Sequence, residues 1–405
     1  MPLILPGNVA TATADVAYSV ANSVRFNDGD SPRLVIANPT AGTREKGTFS
    51  TWFKRCTFGA VQDLFSTWNN ATDGYSSALI LLRSDDRLEI DNYVASGASG
   101  SSALITDRMF RDPSAWYHVV LAWDTTDGTA ADRYKIYVNG VRETVFSGTP
   151  AYPTEDQELF FQIGGTANPQ HIGYQSTGSD TAYFDGYLAE TVYIEGNALA
   201  ASSFGEFNSD SPTIWQPIDV SGLTFGDEGF YLDYEDSDNL GDDESGNTND
   251  FAEGNLAATD SSTDSPTNNF ATLNPLSQGV AATSRTFSEG NTSVSFGGAD
   301  DSSLSSIGVS AGKWYCEFKV TNDAADPTVG VGNESSAFVT NPGACNIGSS
   351  AGAYGYFSNG QKRGNAASLA DYGDTFTDDD IISIALDLDN GTIWFAKNGT
   401  WQASA

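Results

Sequence analysis

The chain has 405 residues, enough for two or three domains, and its 39% hydrophobic and 12% aromatic content excludes a disordered polypeptide. The formal net charge is −34, and no lysine or arginine occurs between Arg142 and Arg285. Such an acidic surface repels nucleic-acid phosphates and anionic membranes and keeps copies soluble, so we expect no nucleic-acid partner.

The N-terminus has no basic residue before Arg25, and Pro6 interrupts its short apolar run, which is not the pattern of a secretory signal. No apolar run approaches the length of a membrane span. The cysteines, Cys56, Cys316 and Cys345, are too far apart for a disulfide framework or a metal site. We therefore expect a protein assembled in a cytoplasm, without membrane insertion.

Short strand-like runs separated by Gly, Asn or Asp turns fill the first half of the chain, as in a β-sandwich or jelly roll. They lie at residues 23–26, 48–53, 78–82, 87–90, 116–123, 134–140 and 184–194. The motifs Trp-Tyr-His-Val-Val, Tyr-Val-Asn-Gly and Phe-Asp-Gly-Tyr-Leu-Ala-Glu occur in this order. With these motifs the region resembles the concanavalin A-like (laminin-G-like) jelly-roll family, so we assign residues 1–208 to such a domain with an N-terminal extension.

Residues 209–270 differ from the strands before them. One further strand is predicted near residues 229–234, followed by an acidic stretch rich in Gly, Asn and Ser. We interpret the region as a trailing strand and a loop-rich linker. Residues 236–242 resemble half of a calcium loop, but a leucine stands where an oxygen ligand is needed. No cofactor is expected, and Ca²⁺ in the acidic stretch remains an open alternative with no ligands assigned.

The last third of the chain begins with a strand in which Trp314, Cys316 and Phe318 alternate with polar residues. It ends with two strands around Asn390-Gly391, a dipeptide that favours a tight hairpin. Together with Val-Gly-Val-Gly at residues 329–332, this order resembles the SPRY domain, an antiparallel β-sandwich, and we assign it to residues 271–405. SPRY folds usually continue past the Lys-Asn-Gly turn, so we expect a neighbouring chain or further polypeptide to complete the sheet.

The sequence therefore predicts an all-β protein of two antiparallel sandwiches joined by an acidic segment. Catalysis is not expected. Glu89 and Asp91 begin a glycosidase-like alternation, but the next residue on that face is Tyr93, so an acid/base partner is missing. Residues 348–352 match a nucleophile elbow in a Gly/Ser loop, yet both histidines precede it in the chain.

Aromatic side chains are the remaining candidates for a binding site. Five tryptophans lie in strand patterns and are predicted to be core: Trp52, Trp116, Trp123, Trp314 and Trp394. A sixth ends a strand and opens a polar loop, and an aromatic face beside amide and carboxylate groups suits sugar recognition, although a Trp that caps the sandwich is the alternative. The predicted ligand-binding residues are Trp68, Asn70, Asp73 and Tyr75, with Tyr354 and Tyr356 as candidates in the second domain.

The whole arrangement, including residues 229–234 and 267–275, resembles structural proteins of tailed bacteriophages, notably marine ones. The resemblance implies a virion protein present in many copies or as a homo-oligomer, with other virion proteins and a host-surface glycan or receptor as partners. We expect a non-catalytic, tail-fibre-like adhesin. A capsid decoration or tail-associated structural protein is the alternative, and a carbohydrate-active hydrolase is the third.

Overall fold

Antiparallel strands form nearly all the regular structure in the computed structural model of the chain. The structure describes residues 18–69, 76–94, 100–165, 168–177, 180–277, 285–297, 301–322, 326–333 and 347–402. These residues divide into two compact units, the first ending at Asn268 and the second beginning at Asn269. The predicted all-β fold class is confirmed.

The first unit is a jelly roll with one short α-helix, Ala130–Arg133, and 3-10 turns at Asp28–Asp30, Ala201–Ser203 and Ala258–Asp260. Its strands are β1 (Ser23–Phe26), β2 (Arg33–Ile36), β3 (Lys46–Arg55), β4 (Gln62–Asn69), β5 (Ser76–Leu82), β6 (Arg87–Tyr93), β7 (Ser102–Met109), β8 (Tyr117–Asp124), β9 (Tyr134–Val138), β10 (Val141–Arg142), β11 (Gln170–Ile172), β12 (Tyr174–Thr177), β13 (Asp180–Tyr183), β14 (Gly186–Glu195), β15 (Gly205–Phe207), β16 (Trp215–Pro217), β17 (Phe230–Leu232), β18 (Ala252–Gly254) and β19 (Ser261–Ser262).

Two sheets enclose the core of this unit. Sheet I has the order β10-β9-β8-β3-β14-β1-β19, with β17 also paired to β14, and sheet II has the order β18-β2-β11-β4-β5-β6-β7. Alternate side chains of both sheets meet in one apolar cluster, which includes Phe53 of sheet I, Ile90 of sheet II and the predicted core residue Trp123. Trp52 and Trp116 are also buried, as predicted, but on the other face of sheet I.

Residues 209–268 belong to the jelly roll instead of forming a linker. Strand β17 pairs with β14, β18 with β2 and β19 with β1, and Phe251 is buried in the core between the sheets. One of its acidic residues holds the local backbone in place: Asp243 accepts hydrogen bonds from the backbone amides of Tyr231, Ser245 and Asn249. The boundary between the units therefore lies at 268/269, sixty residues later than the end of the predicted jelly roll at 208.

The outer face of sheet I is covered by the chain itself. Val192 and Ile194 of β14 pack there against Phe204 and Phe225 from the segment that follows the strand. On the same face His118 stacks on Trp52 and accepts a hydrogen bond from the Trp215 indole, which identifies it as a structural histidine. The outer face of sheet II is only partly accessible: Trp68, Glu89, Asp91 and Tyr93 are half-buried there, whereas Asp63, Ser66, Ser77, Leu79 and Leu81 are buried.

The second unit has its own, smaller core. Its strands are β20 (Arg285–Ser288), β21 (Ser293–Phe296), β22 (Lys313–Lys319), β23 (Thr328–Gly332), β24 (Ala353–Phe357), β25 (Gln361–Gly364), β26 (Ala370–Asp371), β27 (Ile381–Asp387), β28 (Thr392–Lys397) and β29 (Thr400–Trp401). Sheet III has the order β22-β27-β28-β29 and sheet IV the order β23-β24-β25-β26. Ile382, Ile384 and Phe395 of sheet III meet Tyr356 of sheet IV in the core.

Asn398 and Gly399 connect β28 to β29 with positive φ angles of 46° and 79°, as a two-residue hairpin turn requires. The Asn-Gly dipeptide therefore sets the register in which Ala396 lies opposite Trp401.

Candidate functional site

The outer face of sheet II carries aromatic and ionisable side chains in three rows across strands β4, β5 and β6. The strand register places Trp68, Ser77 and Tyr93 in the first row. Ser66, Leu79 and Asp91 form the second row, and Asp63, Leu81 and Glu89 form the third. The core-facing residues between them, such as Ile80 and Ile90, point to the opposite side, because side chains alternate along a strand. We call these three rows the acidic face.

The first row puts two aromatic rings on either side of a serine. Trp68 and Tyr93 lie two strands apart, which corresponds to about 10 Å between their backbones. Both side chains are half-buried, so part of each ring faces solvent. Ser77 between them is buried. The row can therefore offer the exposed parts of two aromatic rings to a ring-shaped ligand.

Carboxylates follow the aromatic row. Burial, and then the charge of Glu89, raises the pKa of Asp91 to about 7. Glu89 itself forms an ion pair with Arg83 at 2.5 Å. Asp91 thus changes charge near neutral pH, while the cation beside Glu89 compensates that carboxylate. Groups with such perturbed pKa values cluster at functional sites.

Asp63 is the unusual member of the third row. Its side chain is fully buried, and neither carboxylate oxygen has a hydrogen-bond partner among the described residues. Burial first, and the charge of Asp91 second, raises the pKa of Asp63 well above its usual range. A buried polar group without a partner destabilises the fold, so its presence requires an explanation beyond packing.

A hairpin borders the face on the side of β4. Strands β12 and β13 leave β11 and pack over β4, where the Ser66 hydroxyl donates to the Tyr174 carbonyl at 2.7 Å. His171, opposite Ser66 in the register, contacts the Tyr174 ring at 5.0 Å. Burial, and then the charge of Arg33, lowers the pKa of His171 to about 4, so the imidazole is neutral at physiological pH. Its Nδ1 has no hydrogen-bond partner among the described residues.

The described residues contain no group of three or more His, Cys, Asp and Glu side chains arranged to hold a metal ion. In the calcium-like segment at residues 236–242, the Asp236 carboxylate accepts a hydrogen bond from the amide of Asp238, and Asp242 accepts one from the Asn239 side chain. These local bonds make the segment a pair of self-contained turns. In the part of the chain that the structure describes, no helix is long and apolar enough to cross a membrane.

The sequence prediction identified only part of the acidic face. Trp68 lies on it, whereas Asn70, Asp73 and Tyr75 are outside the described residues. Tyr93, Asp63 and His171 were not among the predicted ligand-binding residues. One signal was present for Tyr93, since it continues the same-face alternation of Glu89 and Asp91.

The two tyrosines predicted in the second unit have different environments. Tyr356 is fully buried, its hydroxyl donates to the Asp374 carbonyl, and its ring centroid lies 5.1 Å from that of Phe376, so it is a core residue. Tyr354 is 39% exposed, and its ring lies over Gly364 at the margin of the core. A Cβ on Gly364 would come within 2.4 Å of the Tyr354 ring. The structure therefore does not unite these residues into one site.

The apparent nucleophile elbow at residues 348–352 is a turn that leads into strand β24 and not into a helix. Both histidines lie in the jelly roll, where they are buried. The motif thus lacks the strand–turn–helix geometry that exposes a catalytic serine.

Two family models match the chain. Residues 28–203 match the concanavalin A-like lectin/glucanases superfamily, and residues 313–405 match the SPRY domain. No curated protein matches significantly.

Solved structures similar to part of this chain include the heptameric SAP-like pentraxin from Limulus polyphemus (18% identity, 45% of this chain and 80% of that chain, TM-score 0.29). A second is the CBM40 of the Ruminococcus gnavus IT-sialidase bound to α2,3 sialyllactose (17% identity, 46% of this chain and 96% of that chain, TM-score 0.30). A third comprises domains LG4-5 of the mouse laminin α1 chain (12% identity, 100% of this chain and 83% of that chain, TM-score 0.34). From the strand topology and the two family matches, the chain consists of a concanavalin A-like jelly roll followed by a SPRY domain.

Proposed function

We propose that the jelly roll binds a carbohydrate chain on the acidic face without cleaving it. The observation that carries this proposal is the row in which Trp68 and Tyr93 flank Ser77, with Asp91 and Glu89 in the rows below. Aromatic faces stack on the C–H faces of pyranose rings, and carboxylates accept hydrogen bonds from sugar hydroxyls. Both kinds of group occur here on one sheet face, and all four side chains are partly exposed.

Asp63 and His171 support a binding role for the same face. Each is buried and has an atom without a hydrogen-bond partner among the described residues. Such groups lower stability, and proteins retain them chiefly where a ligand or a reaction needs them. Above about pH 7 the ionised carboxylate of Asp91 repels an anionic ligand, and the ion pair of Glu89 with Arg83 leaves no free cation beside it in these rows to offset that charge. The ligand class that fits is therefore a neutral glycan.

The carboxyl groups of the acidic face favour binding of a carbohydrate without its hydrolysis. Hydrolysis needs two carboxyl groups that both reach the scissile bond. Asp63 is sealed from solvent, and Glu89 is neutralised by Arg83. That leaves Asp91 as the one carboxyl of the three that is both accessible and without a paired cation. Release of reducing sugar from a bound polysaccharide by the purified chain would overturn this part of the proposal.

The biological setting that we propose is display on a virion surface as a host-attachment protein. This part rests on the resemblance of the sequence to tailed-phage structural proteins, and docking on other virion subunits is the alternative role. Many copies on one particle would convert weak glycan binding into strong attachment. Electron microscopy of intact particles, with an antibody against this chain, tests the setting: labelled tail fibres support attachment, and labelled capsid surface supports decoration.

The binding proposal is tested on a glycan array with the full chain. We expect neutral oligosaccharides to be bound by the wild type and to be bound about tenfold more weakly by Trp68→Ala and by Tyr93→Ala, since each loses one stacking ring. Phe207→Ala removes an exposed ring elsewhere in the jelly roll and serves as the control, because Phe207 is 44% exposed. Equal binding by all variants, or preference for sialylated glycans, would contradict the proposal.

A further inference from the structure

The outer face of sheet III bears a second line of aromatic side chains. In the register, Tyr315 of β22 lies opposite Ala385 of β27, and Ala385 lies opposite Trp394 of β28. Trp401 of β29 lies opposite Ala396, two residues beyond Trp394, and is therefore its diagonal neighbour on the same face. We call Tyr315, Trp394 and Trp401 the aromatic row of sheet III.

These rings point away from the core. The neighbouring residues in sequence, Cys316, Ile393 and Phe395, pack into the core of the second unit, so alternation places the aromatic row on the opposite side. Tyr315 is 47% exposed and Trp401 is 52% exposed, while Trp394 is half-buried. The prediction that Trp394 is a core residue is thus wrong. Neither indole N–H of the row has a hydrogen-bond partner among the described residues.

Small residues form the floor between the rings. Ala385 separates Tyr315 from Trp394 by one strand and is itself partly exposed, while Ala396 and Ser383 are buried beneath the larger side chains. A flat ring can therefore approach the sheet over Ala385 with an aromatic group on each side. Hydrogen-bonding groups lie next to Ala385. The Glu317 carboxylate there accepts hydrogen bonds from the hydroxyls of Tyr315 and Ser383.

The size of the row indicates a small ligand and not a protein. With a side-chain area of about 150–250 Å² each, three partly exposed rings offer on the order of 300 Å². A stable protein–protein interface needs about 800 Å² from each partner. A second copy of the chain would therefore find too little apolar surface on this row, whereas two or three sugar units cover it fully.

The charges around the row are already compensated. Lys313 pairs with Asp387 at 3.2 Å, and Lys319 pairs with Asp379 at 2.8 Å. Among the described residues of this face, both lysines of β22 are therefore paired and are not free to bind an anionic ligand. We propose that the aromatic row of sheet III is a second carbohydrate-binding site, specific for neutral polysaccharide, so that each chain can hold glycan through both of its units.

The experiment is affinity electrophoresis of the full chain in native gels that contain a neutral polysaccharide, with glucan, mannan, galactan and xylan tested in turn. The starting variant is Trp68→Ala, which weakens the jelly-roll site and isolates the SPRY contribution. We expect it to be retarded by at least one of these polysaccharides, with about tenfold weaker apparent affinity after the further changes Trp394→Ala and Trp401→Ala. The added change Phe296→Ala is the control, because Phe296 is 46% exposed in the same unit.

A second measurement uses the unmutated chain, so its result does not depend on whether the variants fold. N-bromosuccinimide oxidises accessible indoles, and we expect the bound polysaccharide to protect Trp401 at least threefold, as read by peptide mass spectrometry. No retardation of the Trp68→Ala variant by any of the four polysaccharides, or unchanged oxidation of Trp401, overturns the second site. If Trp68→Ala binds like the wild type and the two SPRY changes abolish binding, the jelly-roll proposal fails and this one stands.

Discussion

Replacing Asp63 by asparagine should stabilise the jelly roll at neutral and alkaline pH. The carboxyl group is fully buried without a hydrogen-bond partner among the described residues, and its pKa is raised by burial and then by Asp91. Asparagine has nearly the same shape and never ionises. The substitution therefore removes the cost of holding an acid protonated in the folded state and leaves the packing unchanged.

The magnitude follows from proton linkage. In the unfolded chain an aspartate has a pKa of about 3.9, so each pH unit above 3.9 at which the folded state keeps Asp63 protonated costs about 1.36 kcal/mol. Because the folded pKa is raised, this cost is absent below about pH 4 and grows with pH until the folded pKa is reached. The advantage of Asp63→Asn should thus be near zero at pH 4 and increase steadily towards pH 7.

Differential scanning calorimetry of the full chain between pH 4 and pH 8 measures this effect. The SPRY transition provides an internal reference, and Asp210→Asn, an exposed carboxyl in the same unit, provides the matched control. We expect the jelly-roll transition of Asp63→Asn at pH 7 to lie above that of the wild type, by about 2–4 °C for each kcal/mol of stabilisation in a unit of this size. A variant that is less stable than the wild type at pH 7 would refute the reasoning, because it would mean that the carboxylate has a favourable partner.

Three further predictions concern the same unit. Asp91 has a raised pKa of about 7, so its charged form, which is the stronger hydrogen-bond acceptor, is lost as the pH falls from 8 to 6. Glycan affinity, measured by calorimetric titration, should therefore decrease over this pH range. The Asp91→Asn variant should not show this pH dependence. Lys54→Met breaks a buried ion pair with Asp264 at 2.8 Å and should cost about 3–5 kcal/mol in urea unfolding, with partial recovery on adding Asp264→Asn. Phe251→Ala should destabilise the jelly roll by about 3–5 kcal/mol, whereas a negligible loss would support the linker interpretation of residues 209–270.

The sequence was sufficient for the fold class because strand alternation and Asn-Gly turns are local signals. The acidic segment was misjudged as a linker because its contribution to the core comes from isolated apolar residues, such as Phe251 and Leu240, among polar neighbours. Periodicity cannot detect strands of three residues such as β17 and β18. Their stability comes from pairing with strands that are distant in the sequence.

The acidic face was hard to predict because a β-bulge reverses the alternation in β4. In a regular strand Asp63 and Phe65 would share a face, but the register shifts between them, so Asp63 faces outward and Phe65 faces the core. A similar ambiguity affected Trp394, since three consecutive apolar residues, Ile393, Trp394 and Phe395, do not reveal which of them faces inward. In both cases strand pairing, which is non-local, decides the side.

The most direct test of carbohydrate binding on the acidic face is a crystal structure of the full chain with a neutral oligosaccharide selected on the array. We expect a pyranose ring stacked on Trp68 or Tyr93, with hydroxyls hydrogen-bonded to Asp91. An oligosaccharide bound elsewhere on the jelly roll, with the acidic face empty, would contradict it.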